Sequence, residues 1–215
     1  MMSNKVLYFE GIDDILINFM TTPDTPTSAP VYDKEIYRLP IATKLGVKGN
    51  GSVLEKWASS KLFRRVGRQT KHELSLDHVG MPIEILDKMN DLIATKGVVF
   101  NTSKAKELPY FAFGFVGRIE GGERMAVWYP KVQLSNTVDS EYTTAEEETE
   151  IKDVSAAFVA VGLLYNDVIN SAFDSTRESA NLITLEKFIT TPIFEEAQLE
   201  EVPPTGKLKE DKKNG

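Results

Sequence analysis

The sequence predicts a mainly β protein with a minor α component. Three observations carry this. Tyr110 to Leu134, YFAFGFVGRIEGGERMAVWYPKVQL, joins two β-prone runs through Gly121-Gly122, and a Gly pair supplies the positive φ that a tight hairpin turn needs. Lys71 to Asp77 alternates strictly, with Leu74 and Leu76 inward and Glu73, Ser75 and Asp77 outward, the period of a half-buried strand. Only one segment, after Pro82, has a clear helical spacing.

The elements follow in order. Residues 3–19 read as a short strand and then a mixed segment. Thr21 to Pro30, TTPDTPTSAP, holds three prolines and nothing apolar larger than alanine, so it reads as a loop or extended connector. Ile36 to Val47 is predicted as strand broken at Pro40, Gly49-Asn50-Gly51 as a turn, and Ser52 to Trp57 as the strand that returns to pair with it. Ala58 to Thr70 is basic and weakly periodic, as a long projecting loop would be.

A helix is expected from Pro82, which suits a first turn, through Ile83, Leu86, Met89, Leu92 and Ile93. It should stop near Lys96-Gly97. In the aromatic hairpin Phe111, Phe113 and Phe115 share one face, opposite Tyr110, Ala112, Gly114 and Val116. On its second arm Ala126, Trp128, Pro130 and Val132 oppose Met125, Val127, Tyr129 and Lys131. Neither face is reliably polar, so this hairpin calls for cover from its own domain or from a neighbouring subunit as well.

Glu150 to Leu164 reads as a further strand, with Phe158, Ala160, Gly162 and Leu164 on one face. Ser175 and Glu178 have capping-box spacing ahead of Leu182, Leu185, Phe188 and Ile189, a second helix that Pro192 should end. Beyond Glu195 the chain is charged and has little to bury, so it is expected to be mobile.

Composition excludes several chemistries. The 215 residues are 41% hydrophobic and 27% charged, with no cysteine, which removes disulfides, thiolate metal sites and cysteine nucleophiles. No apolar run reaches membrane-spanning length, and the N-terminus lacks the features of a signal peptide. A net charge of −7 opposes general nucleic-acid binding. It conceals a division, however. Residues 42–72 hold eight basic side chains against Glu55, a net of +7, whereas residues 135–150 hold six acids and no base, a net of −6. Two such segments can attract each other between copies of the chain.

No catalytic constellation emerges. His72 and His78 stand about 20 Å apart if their strand is regular, too far to share a metal. Gly46 to Gly51 lacks the Lys and the strand-to-helix context of a phosphate loop. TTAEEETE lacks the alternating ligands and central Gly of an EF-hand loop. The basic segment with Trp57 and Phe63 offers one alternative, a single-strand nucleic-acid groove using residues 44–71.

The order of these motifs is similar to that of one family. A Pro/Thr-rich start precedes a strand pair, a charged loop and HELSLDHVGMPIEILDKM. Then come LPYFAFGFVGRIEGGERMAVWYPKVQLS and EIKDVSAAFVAVGLL. Over about residues 30 to 190 the chain resembles the major tail (tail tube) protein family of long-tailed phages and prophages of Gram-positive bacteria. The resemblance implies a β-sandwich or barrel-like domain flanked by a helix, placed over 31–194; residues 1–30 are read beside it as an N-terminal arm or connector and, from composition, 195–215 as a polar flexible tail. It implies a non-enzymatic subunit without cofactor or metal, in hexameric rings stacked into a tube around an acidic lumen. DNA would pass through without specific binding, and there would be no membrane insertion.

Its partners would be further copies of itself and the tail terminator, tape-measure and distal tail proteins. It would be made in the host bacterial cytoplasm and end in the virion tail. The loop carrying Lys61, Arg64, Arg65 and Arg68 would reach the adjacent ring. Glu146, Glu147, Glu148 and Glu150 would be its acceptor or line the lumen, and Phe111, Phe113, Phe115, Trp128 and Tyr129 would form a subunit-contact or core hairpin. A related tube or end-cap protein of a contractile or secretion-type injection device shares this plan.

Overall fold

The computed structural model describes residues 7–58, 60–135, 153–177 and 183–199. Eleven strands appear among them: β1 (Phe9–Thr22), β2 (Val31–Tyr32), β3 (Tyr37–Leu39), β4 (Ala42–Gly49), β5 (Ser52–Ala58), β6 (Lys61–Arg68), β7 (Lys71–His78), β8 (Phe111–Ile119), β9 (Glu123–Leu134), β10 (Val154–Val161) and β11 (Ser171–Asp174). Two short helices, α1 (Ile83–Met89) and α2 (Leu185–Ile189), complete the mainly β fold with a 3-10 turn at Glu196–Leu199.

The large sheet runs β2-β1-β8-β9-β10-β7-β4 and is antiparallel throughout, with β11 on β9 and β3 on β1. It closes on itself through β3 and β4. Pro40 has no N–H for a ladder and breaks the strand there. The three residues before it pair with β1, and the eight of β4 pair with β7. One bent stave therefore joins the two ends of the sheet into a barrel.

The interior is packed with Ile15, Ile17, Phe19, Leu74, Leu76, Phe111, Phe113, Tyr129, Val132 and Phe158. Burying each large side chain contributes about 1.5–3 kcal/mol. Phe158 lies 5.3 Å from Phe113 and 5.8 Å from Phe111, ring centre to ring centre. Ile85 and Met89, one turn apart on α1, join the same cluster. The outer face of the hairpin, with Ala112, Val116, Ala126 and Trp128, meets Phe173 of β11 and Phe188, Ile189 and Ile193 around α2. Trp128 Nε1 donates to the Phe188 carbonyl at 2.8 Å, so the only polar atom of its side chain is satisfied in the core.

Several expectations are corrected. Residues 9–22, assigned above to an arm spanning 1–30, are a stave of the barrel, because Ile15, Leu16 and Ile17 are buried on both faces between β8 and β3. The aromatic hairpin turns at Glu120–Gly122 with φ of 85° and 84° at Gly121 and Gly122, and both its faces are covered from within the chain. It needs no neighbouring subunit.

A bulge opposite Phe111–Phe113 then changes the parity of β9. Phe113 pairs with Tyr129 but Phe111 with Val132, and the extra residue sends Val132, not Lys131, into the barrel. The first helix stops at Met89. Asn90 Nδ2 donates to the Leu86 carbonyl, and Asp91 takes a φ of 49°, so Ile93 is left 85% exposed. β10 ends at Val161, which buries Leu163 in place of Leu164. The second helix is capped by Thr184, whose Oγ1 accepts from the Lys187 N–H at 3.2 Å, whereas Ser175 hydrogen-bonds Glu123 and Arg124.

Candidate assembly interface

The basic segment departs most from the sequence reading. Ser52 to Trp57 does not return along β4, and Ala58 to Thr70 is not a loop. β5 and β6 pair with each other as a separate two-stranded sheet, while β4 pairs with β7 at the root. The two ladders meet at Asn50. Its Oδ1 accepts from the backbone N–H groups of Thr70 and Lys71 at 3.0 and 2.9 Å, and its Nδ2 donates to Thr70 Oγ1 at 2.8 Å. This pins the point where the hairpin leaves the barrel wall. An open cleft of about 320 Å³, lined by Arg68, Gln69, Thr70, Val161, Gly162, Asp167 and Ile169, separates the root from the turn after β10.

Every side chain described between Ser52 and Arg68 is exposed. Trp57 is 59%, Phe63 75% and Val53 51% exposed. An isolated two-stranded hairpin is marginal in water, and this one carries large apolar groups into solvent. Of the four predicted cations, Lys61, Arg64, Arg65 and Arg68 all lie on β6. Arg65 is already engaged by Glu55 across the ladder at 3.4 Å. Lys61, Arg64 and Arg68 make no ion pair among the described residues.

The other predicted positions divide. Phe111, Phe113, Trp128 and Tyr129 are buried in the chain's own core, and Phe115 packs against it partly buried. They are core residues, not a contact surface. Glu146, Glu147, Glu148 and Glu150 lie outside the described residues. His72 packs edge-on against Tyr129 and meets Gln69 Oε1 at 3.1 Å. His78 is 2% exposed, and burial lowers its pKa against the opposing pull of Asp153 and Asp77.

Sequence reasoning missed one constellation. Asp24, within the Pro-rich connector, is 3% exposed and faces Lys131, 5% exposed, with Nζ to Oδ1 at 2.5 Å. The second carboxylate oxygen of Asp24 accepts from the backbone N–H groups of Leu164 and Tyr165. Lys131 Nζ lies 4.7 Å from the Tyr110 ring centre. The Tyr32 hydroxyl donates to the Pro130 carbonyl at 2.7 Å, and burial together with the Asp24 charge pushes its pKa far above the ordinary tyrosine value. This cluster fastens the connector to β9 and to the turn after β10. The only sequence signal was a lysine at a core-parity position of a β-prone run. No family model and no curated protein matches this chain.

Proposed function

We propose that this chain is the structural subunit of a phage tail tube, with six copies forming a ring and rings stacking around an acidic lumen through which the genome passes. It carries no enzymatic activity on this reading. Its partners are other copies of itself and the terminator, tape-measure and distal tail proteins, and its place is the virion tail. The observation that carries the proposal is the exposed β5–β6 hairpin. A closed, well-filled barrel has no internal need for it, and its Trp57, Phe63 and Val53 gain burial only against another molecule. Heterologous contacts that close by rotation give rings, and axial ones that do not close give filaments.

Electron microscopy of the concentrated protein, with its sedimentation profile, tests this. Six-fold rings or tubes are expected, and replacing residues 51–69 by a short turn should leave a folded monomer. Assembly that stops at one ring would point to the end-cap relatives of such tubes. Exposed Trp57 and Phe63 stand in sequence beside the cross-strand cations Lys56 and Arg64, which favours one other reading, a single-strand nucleic-acid-binding module. A monomer whose affinity for single-stranded DNA falls steeply with salt would establish that reading in place of the tube.

A further inference from the structure

The two faces of the hairpin are chemically different, and the difference breaks a local rule. Alternation puts Val53, Glu55 and Trp57 on one face of β5 and Lys56 on the other. Lys56 stands directly across from Arg64, and Arg68 lies further along the same face of β6. Like charges directly opposite each other destabilise a ladder. No acid among the described residues forms an ion pair with these three. On the opposite face the cation Arg65 is neutralised by Glu55 at 3.4 Å, leaving that face apolar and without net charge. The hairpin thus has one face on which Val66 lies between the unpaired cations Arg64 and Arg68, and one neutral face bearing Val53 and Trp57.

The occupant follows from charge. The whole chain carries −7 and residues 42–72 carry +7, so the remaining residues carry −14. The surface most complementary to this arm is the body of a second copy. Resting on the assembly reading above, we infer that the two faces divide the work of docking on that copy. Lys56, Arg64 and Arg68 steer the approach, and Val53 and Trp57, beside the Glu55–Arg65 pair, form the buried contact that holds it. Charge across an interface chiefly sets the association rate and its salt dependence, while buried aromatic anchors chiefly set dissociation.

The test compares Arg64→Glu/Arg68→Glu with Trp57→Ser and Val53→Ser. Light scattering at low and high salt gives the rate of assembly, and pelleting gives the critical concentration. Circular dichroism and the urea midpoint confirm that the barrel is intact. The charge reversal should slow assembly at low salt by about tenfold or more, with the deficit shrinking at high salt and the critical concentration changing little. Trp57→Ser should raise the critical concentration about tenfold at both salts, with Val53→Ser moving it the same way. If the charge reversal raises the critical concentration equally at both salts while Trp57→Ser leaves it unchanged, the division is wrong although the assembly reading stands. If the wild-type chain stays monomeric at every concentration and salt, the assembly reading fails and this inference with it.

Discussion

Removing the charge of Asp24 while keeping its shape should cost this fold a large share of its stability. In Asp24→Asn the amide still fits the space and can still accept from the Leu164 and Tyr165 N–H groups, but Lys131 loses its counter-ion. The lysine side chain is 7% exposed and that of Asp24 is fully buried, so water cannot replace the lost partner. Breaking a buried pair on one side costs about 3–5 kcal/mol, because an uncompensated charge is left behind. That is comparable with the whole stability of a weakly stable domain.

The double variant Asp24→Leu/Lys131→Met removes both charges and keeps the branching and approximate length of the two side chains. It should recover most of the loss, except about 1–3 kcal/mol for buried N–H groups left without an acceptor. Urea unfolding of the wild type, Asp24→Leu, Lys131→Met and the double variant closes the cycle, with Asp24→Asn measured beside them and midpoints compared at constant slope. A shift below about 1 kcal/mol for Asp24→Asn would mean the pair behaves as an exposed one. Burial of Asp24 and Lys131 would then not set the cost of separating them.

Two further outcomes are expected. A Cβ at Gly114 would lie 2.7 Å from Trp128 Cε3 and 2.8 Å from the Val127 carbonyl oxygen, so Gly114→Ala should destabilise by about 1–3 kcal/mol in the same urea assay. Unchanged stability would show that the two arms can separate freely. Burial lowers the pKa of His78 below its ordinary 6.5 in the folded state, so the unfolded chain binds the proton more readily. The stability due to neutral His78 is therefore full above pH 6.5 and is lost as pH falls towards the lowered folded value. His78→Gln should flatten that part of the stability–pH curve, and an unchanged slope would remove His78 as its source.

Much of the barrel was legible because its signals are local. Gly121-Gly122 between two aromatic runs gave the β8–β9 turn, Leu74 and Leu76 gave the inner face of β7, and Pro40 marked the corner between β3 and β4. What was missed depends on distant partners or on exposure. β6 has no apolar-polar alternation because both its faces meet solvent, so its pairing with β5 resembled a basic loop. Asp24 and Lys131 are 107 residues apart, and nothing near either one announces the other. The face of Val132 turns on a one-residue bulge, which periodicity cannot register. β11 is four residues long, shorter than any pattern that period-two reading resolves.

The filling of the barrel has a geometric consequence. Phe111, Phe113 and Phe158 pack together in its interior, and α1 contributes Ile85 and Met89 to the same packed mass. Each molecule is a solid post, not a pipe. Any conduit built from this protein must be fenced by several posts standing side by side. Its bore is then fixed by how many stand in the circle and how far each leans, and the folding of one chain sets neither.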